Sequence, residues 1–544
     1  MRTDLQLDTL STYIPFQLSW GRDAFQDGLQ DAKTAPSASE IKRRQLPLLG
    51  LRANVSDRKA ILEDCKALAP HTATLDDCVD QKDERITESI EQILWPADSV
   101  VSLLNTNSVV LNAILFLKTI LAPGLSVVTP IIAFILPFVL AYITPGANRD
   151  PMAILEKVKH IFRRQVMIPT PVLTGASQSR FGSIVEMFFM GFALLIFIAG
   201  LWSQITAALH LRAIWFDVVE RGEAILLSVR TLKRVLERLQ GFDERTKRSV
   251  RHLIQEGEEV LQECNAYLSY DGGAAYGAVW NDPEPILRVR DWLALVDVLA
   301  TVSDTPGVCF PKVSQTTGLT LRGVHHPAVP NCVRNDYSSS SSSRKNATAH
   351  MLLTGPNRGG KSTFCKAVAL ALVTSQTWGF AYAESMTWSP FATILTALEP
   401  CGKLGYCSTF EAEIEFAKSV LLAGPTQGVL QAKGAPAFVM MDEIFHSTNA
   451  HDGVAASRVF LSQLYEKTDT ISIVSTHYAE LTTMFESVVS KQQLVASKKE
   501  DGSLSYTYKI GPGVSSLSSV MEILEERGLK CGNPAPKILS PPTE

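Results

Sequence analysis

Hydrophobic positions in this chain fall into two regimes. In the N-terminal half they run together. From Ser99 to Leu117 there are 19 residues without a charge, and after Lys118 residues 119–148 give another 30. A third run, Met187–Leu211, has only His210 as a titratable group. About 20 apolar residues cross a bilayer as a helix, so the second and third runs predict membrane spans, strongest over 119–143 and 187–209. Asn105, Asn107, Ser108 and Asn112 weaken the first run. Pro123, Pro130 and Pro137 predict that the second run is kinked or re-entrant. Past Arg212 the spacing becomes helical: Val218, Ile225, Val229, Leu232, Leu236 and Leu239 recur with Arg, Lys and Glu between them, predicting long charged helices over 212–268. Residues 292–300 predict another buried helix, and Asp57–Leu62 a helix start capped by Ser56. In the C-terminal half the apolar runs shorten to strands: 351–354, 437–441 and 470–474. Six serines, Ser338–Ser343, predict a flexible loop ahead of the first of these, and the proline-bearing tail after about residue 525 predicts disorder.

Composition sharpens this picture. Of the 544 residues, 46% are hydrophobic and only 19% charged, below the roughly 25% of a soluble average. The 33 glycines and 28 prolines are ordinary, which excludes fibrous and disordered classes. Net charge is −4, so any nucleic-acid surface must be a local patch. Nine cysteines with no CxxC pair fit neither a disulfide scaffold nor a zinc site and predict reduced, cytosol-facing thiols. The first thirty residues have no apolar signal-peptide core. The loop 149–186 is rich in Arg and Lys, which would keep it cytosolic. A cytosolic C-terminal half then requires either that this loop is translocated, or that the third run is a hairpin or lies in the interface.

The chemistry lies in three strand ends. After the strand 351–354 comes Gly355-Pro356-Asn357-Arg358-Gly359-Gly360-Lys361-Ser362, a complete G-x-x-x-x-G-K-[ST], followed by a helix from Thr363. Strand, glycine-rich loop and helix is the setting in which successive N–H groups and a helix N-terminus cradle phosphate. Lys361 is expected on the β/γ-phosphates and the Ser362 hydroxyl on Mg²⁺. The second strand ends in Asp442-Glu443, a Walker-B pattern. Asp442 would hold Mg²⁺, and Glu443 would act as general base toward water. The third ends in His477, expected to sense the γ-phosphate or orient the water.

These residues carry a family resemblance. Thr354 to Thr363 resembles the P-loop of the MutS mismatch-repair ATPases, TGPN-x-GGKST, which is narrower than a generic Walker A. Ser408-Thr409-Phe410 with Glu413 resembles the family's STF-x-x-E segment. Asp442-Glu443-Ile444, Thr448 and Asp452-Gly453 resemble its Walker B and D-loop, and Ser475-Thr476-His477-Tyr478 with Glu480-Leu481 its THY-x-EL switch. His326-Pro327 is similar to the element that opens its ATPase domain. The likeness is strong over about 321–490 and weaker to 525, while residues 212–320 loosely resemble its lever helices. It implies an ABC/MutS-like α/β P-loop domain that hydrolyses ATP with Mg²⁺. It also implies a homodimer or MutS-like heterodimer in which Ser408, Thr409, Phe410 and Glu413 reach the partner's nucleotide, and DNA, mismatched or branched, as ligand. Two features depart from the pattern. Residues 1–98 do not resemble the family's mismatch-reading domain; Phe242-Asp243-Glu244 matches that domain's Phe–Glu spacing only by chance. Phe445–Asn449 replaces the family's Gly-Arg-Gly-Thr-Ser.

The sequence therefore divides into residues 1–98 without assigned chemistry, an apolar region 99–211, a helical lever-like region 212–320, an ATPase domain 321–525 and a tail 526–544. It reads as a MutS-like ATPase associated with membrane lipid, its ATPase domain facing cytosol or nucleoplasm. The alternative is a membrane-anchored mechanoenzyme or scaffold that keeps the ATP engine without DNA. An ABC transporter is disfavoured, since there is no LSGGQ-like segment and there are too few spans. Oligomer cores in a soluble protein would be another home for the apolar runs.

Overall fold

In the computed structural model, residues 5, 7–30, 36–80, 88–143, 150, 180–340, 349–398, 409–422, 437–467, 470–499, 503–517 and 519–527 are described. They form two compact units built from interleaved stretches of chain: Met1–Ala69, Arg234–Gly257 and Asp291–Glu544 in one, Pro70–Lys233 and Glu258–Arg290 in the other. The break at Ala69 falls inside the 1–98 stretch that the sequence offers as one piece.

The first unit holds the strands β1 (Lys312–Val313), β2 (Gly318–Val324), β3 (Asn335–Ser340), β4 (His350–Thr354), β5 (Ser385–Trp388), β6 (Thr393–Ala397), β7 (Ala437–Met441), β8 (Thr470–Ser475), β9 (Val489–Lys498) and β10 (Leu504–Pro512). Six of them make one sheet in the order β10-β9-β4-β8-β7-β6. From β9 to β6 every pairing is parallel, with β10 antiparallel on the edge. β4 and β8 are buried along their whole length, as parallel strands covered on both faces must be. This explains their unbroken apolar runs. The Lys361–Thr377 helix after β4 is buried along nearly all its length. On the β7–β8 side, Val439, Val474, Ile444, Phe445, Phe460, Leu461 and Leu464 share one core cluster. The smaller sheet, β1-β5-β2-β3, precedes and flanks this one in sequence. The α/β reading of the C-terminal half is what forms.

The far end of the Lys361–Thr377 helix is buttressed from the N-terminus. Trp378, its C-cap, stacks on Phe25 at 5.6 Å between ring centroids and donates its indole N–H to Phe25 O at 3.2 Å. Phe25 belongs to the helix Ser19–Gln30. Asp297, on the helix Glu284–Asp304, accepts from the Leu18 N–H at 2.9 Å and the Gln17 N–H at 3.2 Å, so the backbone leading into the Ser19–Gln30 helix is capped by a residue far away in the chain. Gly21 is required here, because a Cβ would stand 2.4 Å from Asp297 Oδ2.

In the second unit, the first apolar run folds as a 3₁₀ segment, Val100–Thr106, and a helix, Ser108–Phe116. A π-helical turn, Leu117–Leu121, leads into the helix Ala122–Ile143, which continues through Pro130 and Pro137. Neither proline interrupts the helix, and the wider turn ahead of Pro123 lies where a missing N–H is tolerated. The third run lies within a single helix, Arg180–Gln240, which crosses from the second unit into the first. The helical positions read from 218 to 239 are all buried.

Two local expectations are corrected. Ser338–Ser340 are not loop but the end of β3, paired with β2 at Thr320↔Ser338 and Gly318↔Ser340. The ladder uses backbone groups, so a serine run is no bar to it. Ser341–Ser343 lie outside the described residues. The helix read from Asp57 begins at Val55 with Asn54 as N-cap, not Ser56, and runs to Leu68. Its cap makes no side-chain bond to the helix, and the Asn54 amide N–H donates back to Gly50 O.

Candidate nucleotide site

The P-loop residues sit where the parallel strands end. Gly355 follows β4, Asp442 follows β7 and Thr476 follows β8, so three neighbouring strands deliver their next residues to one edge. Gly360 N-caps the Lys361–Thr377 helix at φ 98, a left-handed conformation that a side chain strains, and Arg358 adopts φ 63. A cavity of about 500 Å³ opens on the loop, lined by Pro356 to Phe364, by Glu443 and by part of the 324–335 segment.

Lys361 is 4% exposed and folds back on its own loop, donating to Gly355 O at 3.1 Å and Pro356 O at 3.5 Å. Its Nζ lies 3.8 Å from Glu443 Oε1. Burial pulls the Lys361 ammonium below its ordinary range, and the carboxylates of Glu443 and Asp442 oppose that. Glu443 is held at φ 54. His477 Nε2 meets its Oε1 at 2.7 Å, and this bond is the main cause keeping the Glu443 carboxyl below the usual range. The sequence pointed to both residues, and the structure pairs them.

Ser475 was missed as a site residue. Its hydroxyl donates to Asp442 Oδ1 and accepts from the Glu443 N–H at 2.9 Å, so one fully buried serine fixes both Walker-B residues. Its position at the end of β8, beside β7, was the available signal. Tyr508 was missed too. It lines the loop cavity at φ 54, and a Cβ on Gly360 would lie 3.3 Å from its ring. Asn335 secures that stretch of β10, donating to Tyr508 O at 2.9 Å and accepting from the Ile510 N–H at 2.9 Å.

The segment after the Walker B is tied to the switch. Tyr478 donates its hydroxyl to Phe445 O at 3.0 Å, and Gly453 makes room, since a Cβ there would meet the Tyr478 oxygen at 2.2 Å. Asn449 accepts from the Asp452 N–H at 2.9 Å and caps the helix Ala450–Tyr465. Thr409, Phe410 and Glu413 start the helix Thr409–Leu422. None of the three lines the cavity of its own chain. Phe410 packs edge-on to Phe445 at 6.0 Å, and Glu413 lies 3.2 Å from His446 Nδ1, with burial raising its carboxyl. Ser408 lies outside the described residues. His326 accepts the Ala328 N–H at 3.2 Å, and burial drops its imidazole to about 4, so it is neutral and structural to its turn.

Ser362, exposed at the helix start, and Asp442 are oxygen donors suited to Mg²⁺, which takes few protein ligands and keeps water and phosphate oxygens for the rest. No cluster of three His, Cys, Asp or Glu groups competes for a metal among the described residues. The cysteines Cys65, Cys78, Cys264, Cys309, Cys332 and Cys365 are free thiols.

With this geometry in place, comparison with known proteins is decisive for one part of the chain. Residues 351–531 match the model of MutS domain V. Over these residues the chain is similar to the MutS family. The DNA mismatch repair protein MutS of Shouchella clausii is 24% identical over 348 residues, 58% of this chain and 39% of the relative. MutS of Brevibacillus brevis is 30% identical over 284 residues, half of this chain and 31% of that protein. The DNA mismatch repair protein msh3 of Botryotinia fuckeliana is 31% identical over 186 residues, covering 34% of this chain and 16% of its own. The chain thus spans about two fifths or less of the length of these relatives.

Proposed function

We propose that the chain is a Mg²⁺-dependent MutS-family ATPase that works as a dimer on DNA and is held at a membrane. The observation that carries the ATPase is the line Lys361–Glu443–His477, with Nζ to Oε1 at 3.8 Å and Oε1 to Nε2 at 2.7 Å, on the wall of the P-loop cavity. On binding ATP, Lys361 exchanges the carbonyls of Gly355 and Pro356 for phosphate oxygens. The loop N–H groups and the helix N-terminus hold the remaining charge. Ser362 and Asp442 would hold Mg²⁺, which would supply charge neutralisation on the phosphates. Glu443, kept ionised by His477, takes the proton of the attacking water; His477 fixes the carboxylate and shares the charge that moves. Tyr508 offers a face for the base. Thr409, Phe410 and Glu413, which do not line the cavity of their own chain, would complete the partner's, in a homodimer or a MutS-like heterodimer.

DNA as the ligand rests on the names of the relatives. Salt-dependent retention on duplex DNA separates it from a mechanoenzyme that has lost DNA binding. The membrane rests on a separate observation. Ser108–Thr129 and Leu195–Gln240 are long and apolar enough to cross a bilayer, and an apolar stretch of 18 residues within each is only 6% and 11% buried. Leu125, Val128, Phe188, Phe192, Leu195, Ile196 and Trp202 are exposed, so these stretches, unlike the buried positions from 218 to 239, face outward from the folded chain. The ATPase domain would then face the cytosol or nucleoplasm.

The chemistry is tested by Glu443→Gln, which keeps the shape and removes the base. ATP should bind and accumulate unhydrolysed, with turnover down roughly 10²–10⁴-fold. Lys361→Ala should weaken binding itself. Wild-type turnover in Glu443→Gln would refute the assignment.

A further inference from the structure

The P-loop carries a second cation that its phosphate-binding logic does not use. Arg358 lines the loop cavity alongside Lys361, Ser362 and Glu443, yet its guanidinium is paired with Glu526 on the helix Val520–Glu526. The pair is half-exposed, at 42% and 54%. Two further bonds fasten the same C-terminal stretch to the loop. Ser519 donates its hydroxyl to Asn357 O at 3.1 Å, and the Ser515 N–H donates to Thr354 Oγ1 at 2.9 Å. Ser515, Ser519 and Glu526 therefore each bond to the P-loop or to the strand end before it, the last of them to its arginine.

Resting on the ATP reading above, we infer that Arg358 is a ligand for the terminal phosphate of a nucleoside triphosphate, and that Glu526 competes for it. A guanidinium binds carboxylate and phosphate through the same forked geometry, so the two are exclusive partners. Arg358 and Glu443, the proposed general base, border one cavity, so a triphosphate bound there can present its terminal group to both. An exposed ion pair contributes little, which suits a contact that must exchange readily. A diphosphate lacks the group that wins the exchange and leaves Arg358 on Glu526. Triphosphate occupancy is thereby reported to the Val520–Glu526 helix, and the helix in turn lowers triphosphate affinity.

The test is equilibrium binding of the full-length chain, in detergent with Mg²⁺, to ADP and to a non-hydrolysable ATP analogue. Glu526→Gln removes the competing carboxylate and should tighten the triphosphate about 2–5-fold, the worth of an exposed pair, with ADP unchanged. Arg358→Ala should weaken the triphosphate roughly 5–20-fold, the lower range for a charged hydrogen bond, and spare ADP. Arg358→Lys should recover part of that loss, which also guards against a misfolded loop. In the Arg358→Ala background, Glu526→Gln should have no further effect. Equal shifts for both nucleotides, or an undiminished Glu526→Gln effect without the arginine, would overturn the role of Arg358 while leaving the ATP site standing. A wild-type chain that binds neither nucleotide overturns both.

Discussion

At the scale of single residues, the site divides into what is contiguous in sequence and what is not. The P-loop was legible because its chemistry is written in ten successive residues. Asp442, Glu443 and His477 were legible because each ends an apolar run, and apolar runs of that length are strands whose ends meet. Ser475 and Tyr508 were not legible as site residues. A serine closing an apolar strand and a tyrosine in an alternating one have ordinary structural uses, and only the β7–β8 and β9–β10 pairings give them neighbours. The pairing of His477 with Glu443 has a measurable consequence. His477 holds the Glu443 carboxyl below its ordinary range, so the base stays ionised further into acid than a free glutamate would. In His477→Ala the acid limb of the ATPase pH profile should move to higher pH, and kcat at neutral pH should fall by less than the roughly 10²–10⁴-fold attached to the base itself. An unmoved acid limb would mean that His477 does not set the state of Glu443.

At the scale of elements, strands and long helices followed from periodicity, and misreadings came where side-chain identity and backbone pairing disagree. The serines of β3 are one case: low complexity suggested a loop, but β2 offers a ladder to any backbone. Asn54 is another, since the tie back to Gly50 moves the helix start ahead of the expected serine cap. The helix Ser19–Gln30 was left without any role by the sequence, because its cap comes from 279 residues away in the chain. That cap titrates. Burial raises the Asp297 carboxyl to about 6, against the hydrogen bonds from Leu18 and Gln17 that favour its charge. The folded state thus binds this proton more tightly than the unfolded chain, whose aspartates titrate near 3.9. The resulting stability is complete below about pH 4 and is lost as pH rises through about 6. Asp297→Asn removes the titration while keeping one acceptor. The difference in Tm between wild type and Asp297→Asn should therefore shift against wild type between about pH 4 and 6 and be flat above 7. A difference that is constant across this range would show that Asp297 keeps one charge state throughout.

At the scale of the whole chain, the least legible feature was the interleaving of two compact units, because no composition change marks Ala69, Arg234 or Asp291. The most legible was the apolar surface. A buried core helix and a membrane span have the same composition; burial tells them apart, and here the apolar windows stay outside the core. A large apolar surface marks an interaction site; the cover proposed above is lipid, and a second copy of the chain is its rival. Leu195 separates these outcomes. It is 65% exposed on the helix Arg180–Gln240, far in sequence from every nucleotide-binding residue. An arginine at the centre of a spanning helix costs about 2.5–3.5 kcal/mol on insertion scales, or roughly a hundredfold in partition. Leu195→Arg should move part of the full-length chain from the carbonate-resistant membrane pellet to the soluble fraction, while its ATPase rate in detergent stays at the wild-type level. If the chain instead covers this surface with a second copy, wild type should be soluble without detergent as a stable oligomer, and Leu195→Arg should lower its mass. That result would remove the membrane from the proposal and leave the ATPase intact, because the two rest on different residues and on different elements of the fold.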